Sequence, residues 1–159
     1  MKSQENYEIS IEKAKRELQT ANHLVCITYP VIKDQRLMAK VLEHIYDCVV
    51  SIVKAVLQYE YLYKRIEVYS DSKSNFETFS ECAAKFNISP GEVETIQNIL
   101  NLMEKHKNSS MEFVRQDRYV MMSDSLRTES MTFDLLRSYL LLAKNLLPRV
   151  ENSLKSALL

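Results

Sequence analysis

The sequence predicts an all-α domain, a four-helix bundle with one extra short helix and a small β-hairpin before the last helix. Three observations carry that expectation. Apolar residues recur at steps of three and four along most of the chain, the period of a helix face packed against a partner. There is one glycine, Gly91, in 159 residues. Tight hairpin turns need positive φ, which glycine supplies, so a large antiparallel sandwich is excluded. With 46% hydrophobic and 26% charged residues, a chain of this length can bury one core, and residues 1–159 read as a single domain.

The first helix shows as Tyr7, Ile11, Ala14, Leu18, Ala21 and Val25 and is expected from about Gln4 to Thr28. Tyr29-Pro30 should end it, because proline disfavours helical geometry in the residue before it. Met38, Val41, Ile45, Cys48, Ile52, Ala55, Tyr59, Leu62 and Ile66 form the second and longest stripe. Leu42, Val49, Val53 and Val56 add a neighbouring stripe, so this helix should be surrounded on more than one side. At ~1.5 Å per residue it would span about 50 Å, which predicts that one end projects or is covered by a second chain.

Ser70 to Asn75 reads as a polar linker. Phe76, Phe79, Cys82, Ala83 and Phe86 then mark the short extra helix, with Ser74 and Glu77 placed as a capping box. Ile88-Ser89-Pro90-Gly91-Glu92-Val93 is the clearest local signal: Ser89 caps, Pro90 suits the first helical position, and Glu92 reaches back. That helix carries Val93, Ile96, Leu100 and Met103 to about Lys107.

From Asn108 to Met131 the helical rhythm fails. Arg118 to Met122 reads as a short strand and Arg127 to Met131 as its partner, around Ser123-Asp124-Ser125. Thr132 and Asp134 open the last helix, with Phe133, Leu136, Leu140, Ala143, Leu147, Val150 and Leu154 on its face. Pro148 lies inside that run and should kink it.

Composition removes several functions. A P-loop or dinucleotide fingerprint needs several glycines. Lys plus Arg equals Asp plus Glu, 21 each, whereas nucleic-acid domains usually show a basic excess. Cys26, Cys48 and Cys82 are far apart, with no Cys-x-x-Cys pair, so no zinc or thioredoxin-type site is expected and the compartment reads as the reducing cytoplasm. No apolar run has the length of a membrane span. No Glu-x-x-His pair of the di-metal bundles occurs, so no metal and no cofactor are expected. His44 reads as a core or rim histidine, and His23 and His106 as solvated positions.

The candidate ligand-binding residues are Arg115, Asp117, Arg118, Asp124 and Arg127, in the stretch without helical rhythm. Arginine forks suit phosphate or carboxylate, and loops often carry function. The same charges could instead pair with one another and pin the loop. Tyr59, Tyr61, Tyr63 and Tyr69 gather near Lys64 and Arg65, and of these Tyr61 and Tyr63 are candidates for stacking on a base or for an interface.

Thr28 to Asp34, Glu60 to Ile66, and the run from Glu112-Phe113-Val114-Arg115 to Ser123-Asp124 resemble an uncharacterised, mainly archaeal family of small helical-bundle proteins. The arrangement is also similar to the HEPN bundles. That resemblance implies a dimer, and an association with RNA cleavage or with nucleotidyltransferase partners. HEPN ribonucleases carry an arginine, four to six residues, and a histidine. Here seven residues lie between Arg36 and His44, and no histidine follows Arg115 or Arg127. Two functions follow as expectations. The first is a non-catalytic cytoplasmic protein-interaction module that self-associates along its second helix, as a homodimer or with an unidentified protein partner. The alternative is an RNA- or nucleotide-binding HEPN-like protein, a degenerate ribonuclease, with the arginines holding phosphate. Neither involves a membrane.

Overall fold

The computed structural model describes residues 2–63, 66–67 and 71–156, with side chains from residue 6 onward. The chain is mostly helical, with one small antiparallel sheet. Helix α1 spans Lys2–His23, passes through a π-helical turn at Leu24–Thr28, and resumes as α2, Tyr29–Ile32. Pro30 therefore does not end the helix. The ladder widens before it, the Tyr29 N–H reaching back to the Leu24 carbonyl, so the register has already shifted where proline has no N–H to donate. The segment ends three residues later at Lys33, whose φ of 56° is left-handed.

Helix α3, Leu37–Leu62, is the centre of the molecule and packs against α1, α4 (Ser72–Cys82), α5 (Pro90–Lys107) and α6 (Phe133–Ser156). Its two apolar stripes explain that position. Met38, Val41, Leu42, Ile45, Cys48, Val49, Ile52, Ala55 and Val56 are all at most 1% exposed, facing neighbours on several sides. Burying each large aliphatic is worth roughly 1.5–3 kcal/mol. The helix is shorter than its sequence pattern suggests. Its 26 residues span about 39 Å, Ile66 falls beyond its end, and α6 has 24 residues. Most of both stripes packs within the chain, with Val53 and Leu62 partly buried at their edges.

Two caps differ in detail. Helix α4 is capped by Asp71, whose carboxylate accepts from the Ser74 N–H at 2.9 Å, and not by Ser74 with Glu77. The predicted linker therefore already contains the first helical turn. Helix α5 begins as expected: Ser89 Oγ accepts from the Glu92 N–H at 3.2 Å, and Glu92 Oε1 accepts from the Ser89 N–H at 3.1 Å. Arg149 of α6 donates to the same Glu92 carboxylate, at 3.0 Å to Oε1, and at 2.7 Å to the Asn87 carbonyl. That contact ties the two helices and, with the capping bonds, holds Glu92 below the usual carboxylate range. Helix α6 continues through Pro148 to Ser156.

The 108–131 stretch holds three strands: β1 (Met111–Arg115), β2 (Arg118–Met122) and β3 (Thr128–Met131), in the order β1-β2-β3 and antiparallel throughout. Strand β1 replaces part of the expected loop. Its burial does not alternate cleanly, and β2 is buried on both faces, so neither shows the period of two that marks a half-buried strand. Positive φ is met without glycine. Lys33, Asn87, Gln116 and Leu126 adopt it, while Gly91 sits in helix α5.

Candidate functional site at the three-stranded sheet

The two faces of the sheet have different chemistry. Tyr119, Met121 and Met131 point inward and join the main core. On the same face, His106 from the last turn of α5 is held between two carboxylates. Its Nδ1 lies 2.5 Å from Glu112 Oε2 on β1, and its Nε2 lies 3.2 Å from Glu43 Oε1 on α3. A carboxylate only accepts, so this geometry suits a ring that donates from both nitrogens, the charged form. Burial pushes its pKa down, but the bonds to Glu112 and Glu43 outweigh this and raise it above the ordinary histidine value.

Glu43 is desolvated, yet His106 and Lys40, at 3.3 Å, hold it below the usual carboxylate range. Tyr119 Oη donates to Glu112 Oε1 at 3.1 Å, and burial together with the Glu112 charge pushes the phenol up to about 12. With both nitrogens engaged, His106 has no free position to take or deliver a proton. It joins α3, α5 and the sheet; it is not solvated, its side chain being 14% exposed. No sequence period could reveal this, because Glu43 is 63 residues from His106.

The outer face carries the other candidates. The register pairs Arg115 with Arg118 and Phe113 with Val120, and places Ser130 opposite Val120 on β3. These side chains, with Gln116, Met122 and Thr128, line a shallow groove of about 380 Å³. Val120 is 9% exposed yet stands outside the main core cluster. Among the described residues, Arg115, Arg118, Asp117 and Arg127 make no ion pair, so the charges do not pin the loop to itself. Asp124 is engaged by the Ser110 hydroxyl.

The structure separates residues that the sequence grouped. Arg115, Asp117 and Arg118 surround the β1–β2 turn, while Asp124 and Arg127 belong to the β2–β3 loop at the other end of β2. Tyr61 and Tyr63 are exposed at the far end of α3, some 18 residues or about 27 Å along the helix from Glu43. Tyr63 leans on Tyr59, ring centroids 4.9 Å apart. Lys64, Arg65 and Tyr69 lie outside the described residues. His44 is a half-buried rim residue bonded to Glu17 of α1 at 2.5 Å.

A further pair lies on α1. Arg16 and His23 have six residues between them. Seven residues are two helical turns, so both fall on one face, and both are exposed. Among the described residues no three ligating side chains converge as a metal site, and no helix is long and apolar enough to cross a membrane. Fold and site define a helical domain with a small accessory sheet. No family model matches the chain, and no curated protein is similar to it.

Proposed function

We propose that the chain is a non-catalytic interaction module, a four-helix bundle of α1, α3, α5 and α6 working in the cytoplasm, that pairs with a second copy of itself. The carrying observation is the stretch from Leu24 to Ile32, which holds no charged residue and leaves Ile27, Val31 and Ile32 at 56%, 80% and 60% exposure. An apolar patch without charge is complementary to itself, so two copies can meet about a two-fold axis without burying an ion. The contact belongs on this α1–α2 segment because the stripes of α3 face inward. Sedimentation equilibrium at micromolar concentration should give a dimer for the natural chain. Val31→Asp should give a monomer that keeps its helical circular dichroism, since Val31 is 80% exposed and supports no core, with a melting temperature lowered only by the lost association. A natural chain that stays monomeric overturns the reading.

A second reading is favoured by Arg16 and His23. Under it the protein is HEPN-like and acts on RNA through that exposed face of α1, whose next turn carries Ile27. Incubation of single-stranded RNA with the natural chain should give cleavage products that the Arg16→Ala/His23→Ala variant does not. Intact RNA with the natural chain rejects it.

A further inference from the structure

We propose that the outer face of the sheet is a nucleotide site, with the phosphate held between Arg115 and Arg118 and the base lying on Phe113. The inference assumes only that the chain works by binding; it needs neither self-association nor the α1 pair.

Like charges directly opposite on adjacent strands repel. Arg115 and Arg118 are such a pair, flanking the two-residue turn Gln116-Asp117. Three arginines elsewhere have a carboxylate: Arg36 with Asp34, Arg137 with Asp134 and Arg149 with Glu92. Arg16 and Arg127, like the sheet pair, make no ion pair among the described residues, but they stand singly. The sheet arginines have none, although Asp117 stands between them in sequence. Two neighbouring exposed guanidinium forks with no ion pair among the described residues make a place for an anion with several acceptor oxygens, which a phosphate provides.

The floor beside them favours a ring over a simple anion. Phe113 is two residues from Arg115 on the same strand face, about 7 Å along the strand. Val120 and Met122 extend the apolar surface, and the hydroxyls of Thr128 and Ser130 edge it on β3. At about 380 Å³ the groove lies at the small end of ligand sites, roughly 300–1,000 Å³. An extended acidic peptide is the poorer occupant. Such peptides add to a sheet edge through backbone pairing, whereas this groove lies across a face.

Binding of adenosine monophosphate, inorganic phosphate, a short labelled single-stranded RNA and an oligoglutamate peptide should be compared by calorimetry and fluorescence anisotropy. Adenosine monophosphate is expected to bind, and Arg115→Ala/Arg118→Ala to weaken it at least tenfold with the melting temperature unchanged. Phe113→Ala should weaken adenosine monophosphate about tenfold, in line with the stacking of a base on an aromatic ring, and leave phosphate binding unaltered. Tighter binding of RNA than of adenosine monophosphate, lost in the arginine variant, would identify the ligand as a nucleotide within a strand; comparable affinity would identify the free nucleotide. Three results overturn the proposal: no binding of either nucleotide probe, binding that survives the arginine variant, or tighter binding of oligoglutamate. Val31→Asp should bind as the natural chain does, so a failed dimer leaves this site standing and a failed site leaves the dimer standing.

Discussion

The inner and outer faces of one three-stranded sheet obey opposite rules. On the inner face the polar groups that reach the protein interior are matched: His106 has Glu43 and Glu112, and Glu112 also accepts from Tyr119. On the outer face Arg115 and Arg118 sit beside an apolar floor and make no ion pair among the described residues. Buried polar groups must be paired, because each desolvated group has to be repaid, whereas the exposed Arg115 and Arg118 are solvated and remain available to a ligand. The inner face therefore reads as architecture and the outer face as a surface that something else completes.

The largest test of this contrast is a truncation on each side. Met121→Ala, at 2% exposure, should cost about 2–5 kcal/mol in urea unfolding, as deletions in a closed core do. Met122→Ala, half-buried on the outer face, should cost well under half as much. Equal losses would mean that the outer face belongs to the core.

His106→Ala should cost about 1–2 kcal/mol, since it leaves two carboxylates facing each other with part of their solvent restored. The pH dependence has a definite sign. The folded histidine pKa is raised, so its contribution is complete below the ordinary value of 6.5 and is lost as pH rises through the raised value. The folded Glu43 pKa is lowered, so its contribution is present above the ordinary 4.5 and is lost as pH falls through the lowered value. Pairing is therefore strongest between 4.5 and 6.5. Unfolding free energies measured from pH 5 to pH 9 should decline for the natural chain through the His106 transition, and the difference from His106→Ala should shrink as they do. A constant difference would show that the ring is not held charged.

The smallest effect is expected on the outer face. Arg115→Ala/Arg118→Ala should change stability by no more than about 0.5 kcal/mol, with a slight gain from removing the cross-strand repulsion. A loss of several kcal/mol would mean that the two side chains are structural props and would end the contrast between the faces.

How much of this was legible in the sequence depends on the range of the interaction. The Ser89–Glu92 box and the start of α5 are set by neighbours within four residues, and both appear where the residues place them. The π-helical turn before Pro30 was not legible because proline's local preference competes with packing on both sides of it, including Tyr29 against Phe133 at 3.7 Å between ring centroids. Strand β1 was not legible because Phe113 and Val114 are adjacent and its edge position leaves both of its faces partly exposed, so no clean apolar alternation marks it. The candidate arginines were visible as residue types, but which of them share a face was not.

The sequence by itself determined the helical class, the helix faces that form the core and the sharp start of α5, since spacing and capping act through near neighbours along the chain. Only the tertiary structure decided that α3 is enclosed, that His106 bridges two carboxylates, and that Arg115 and Arg118 stand together with no ion pair among the described residues. Those outcomes depend on which distant residues meet, and one-dimensional spacing does not carry that information.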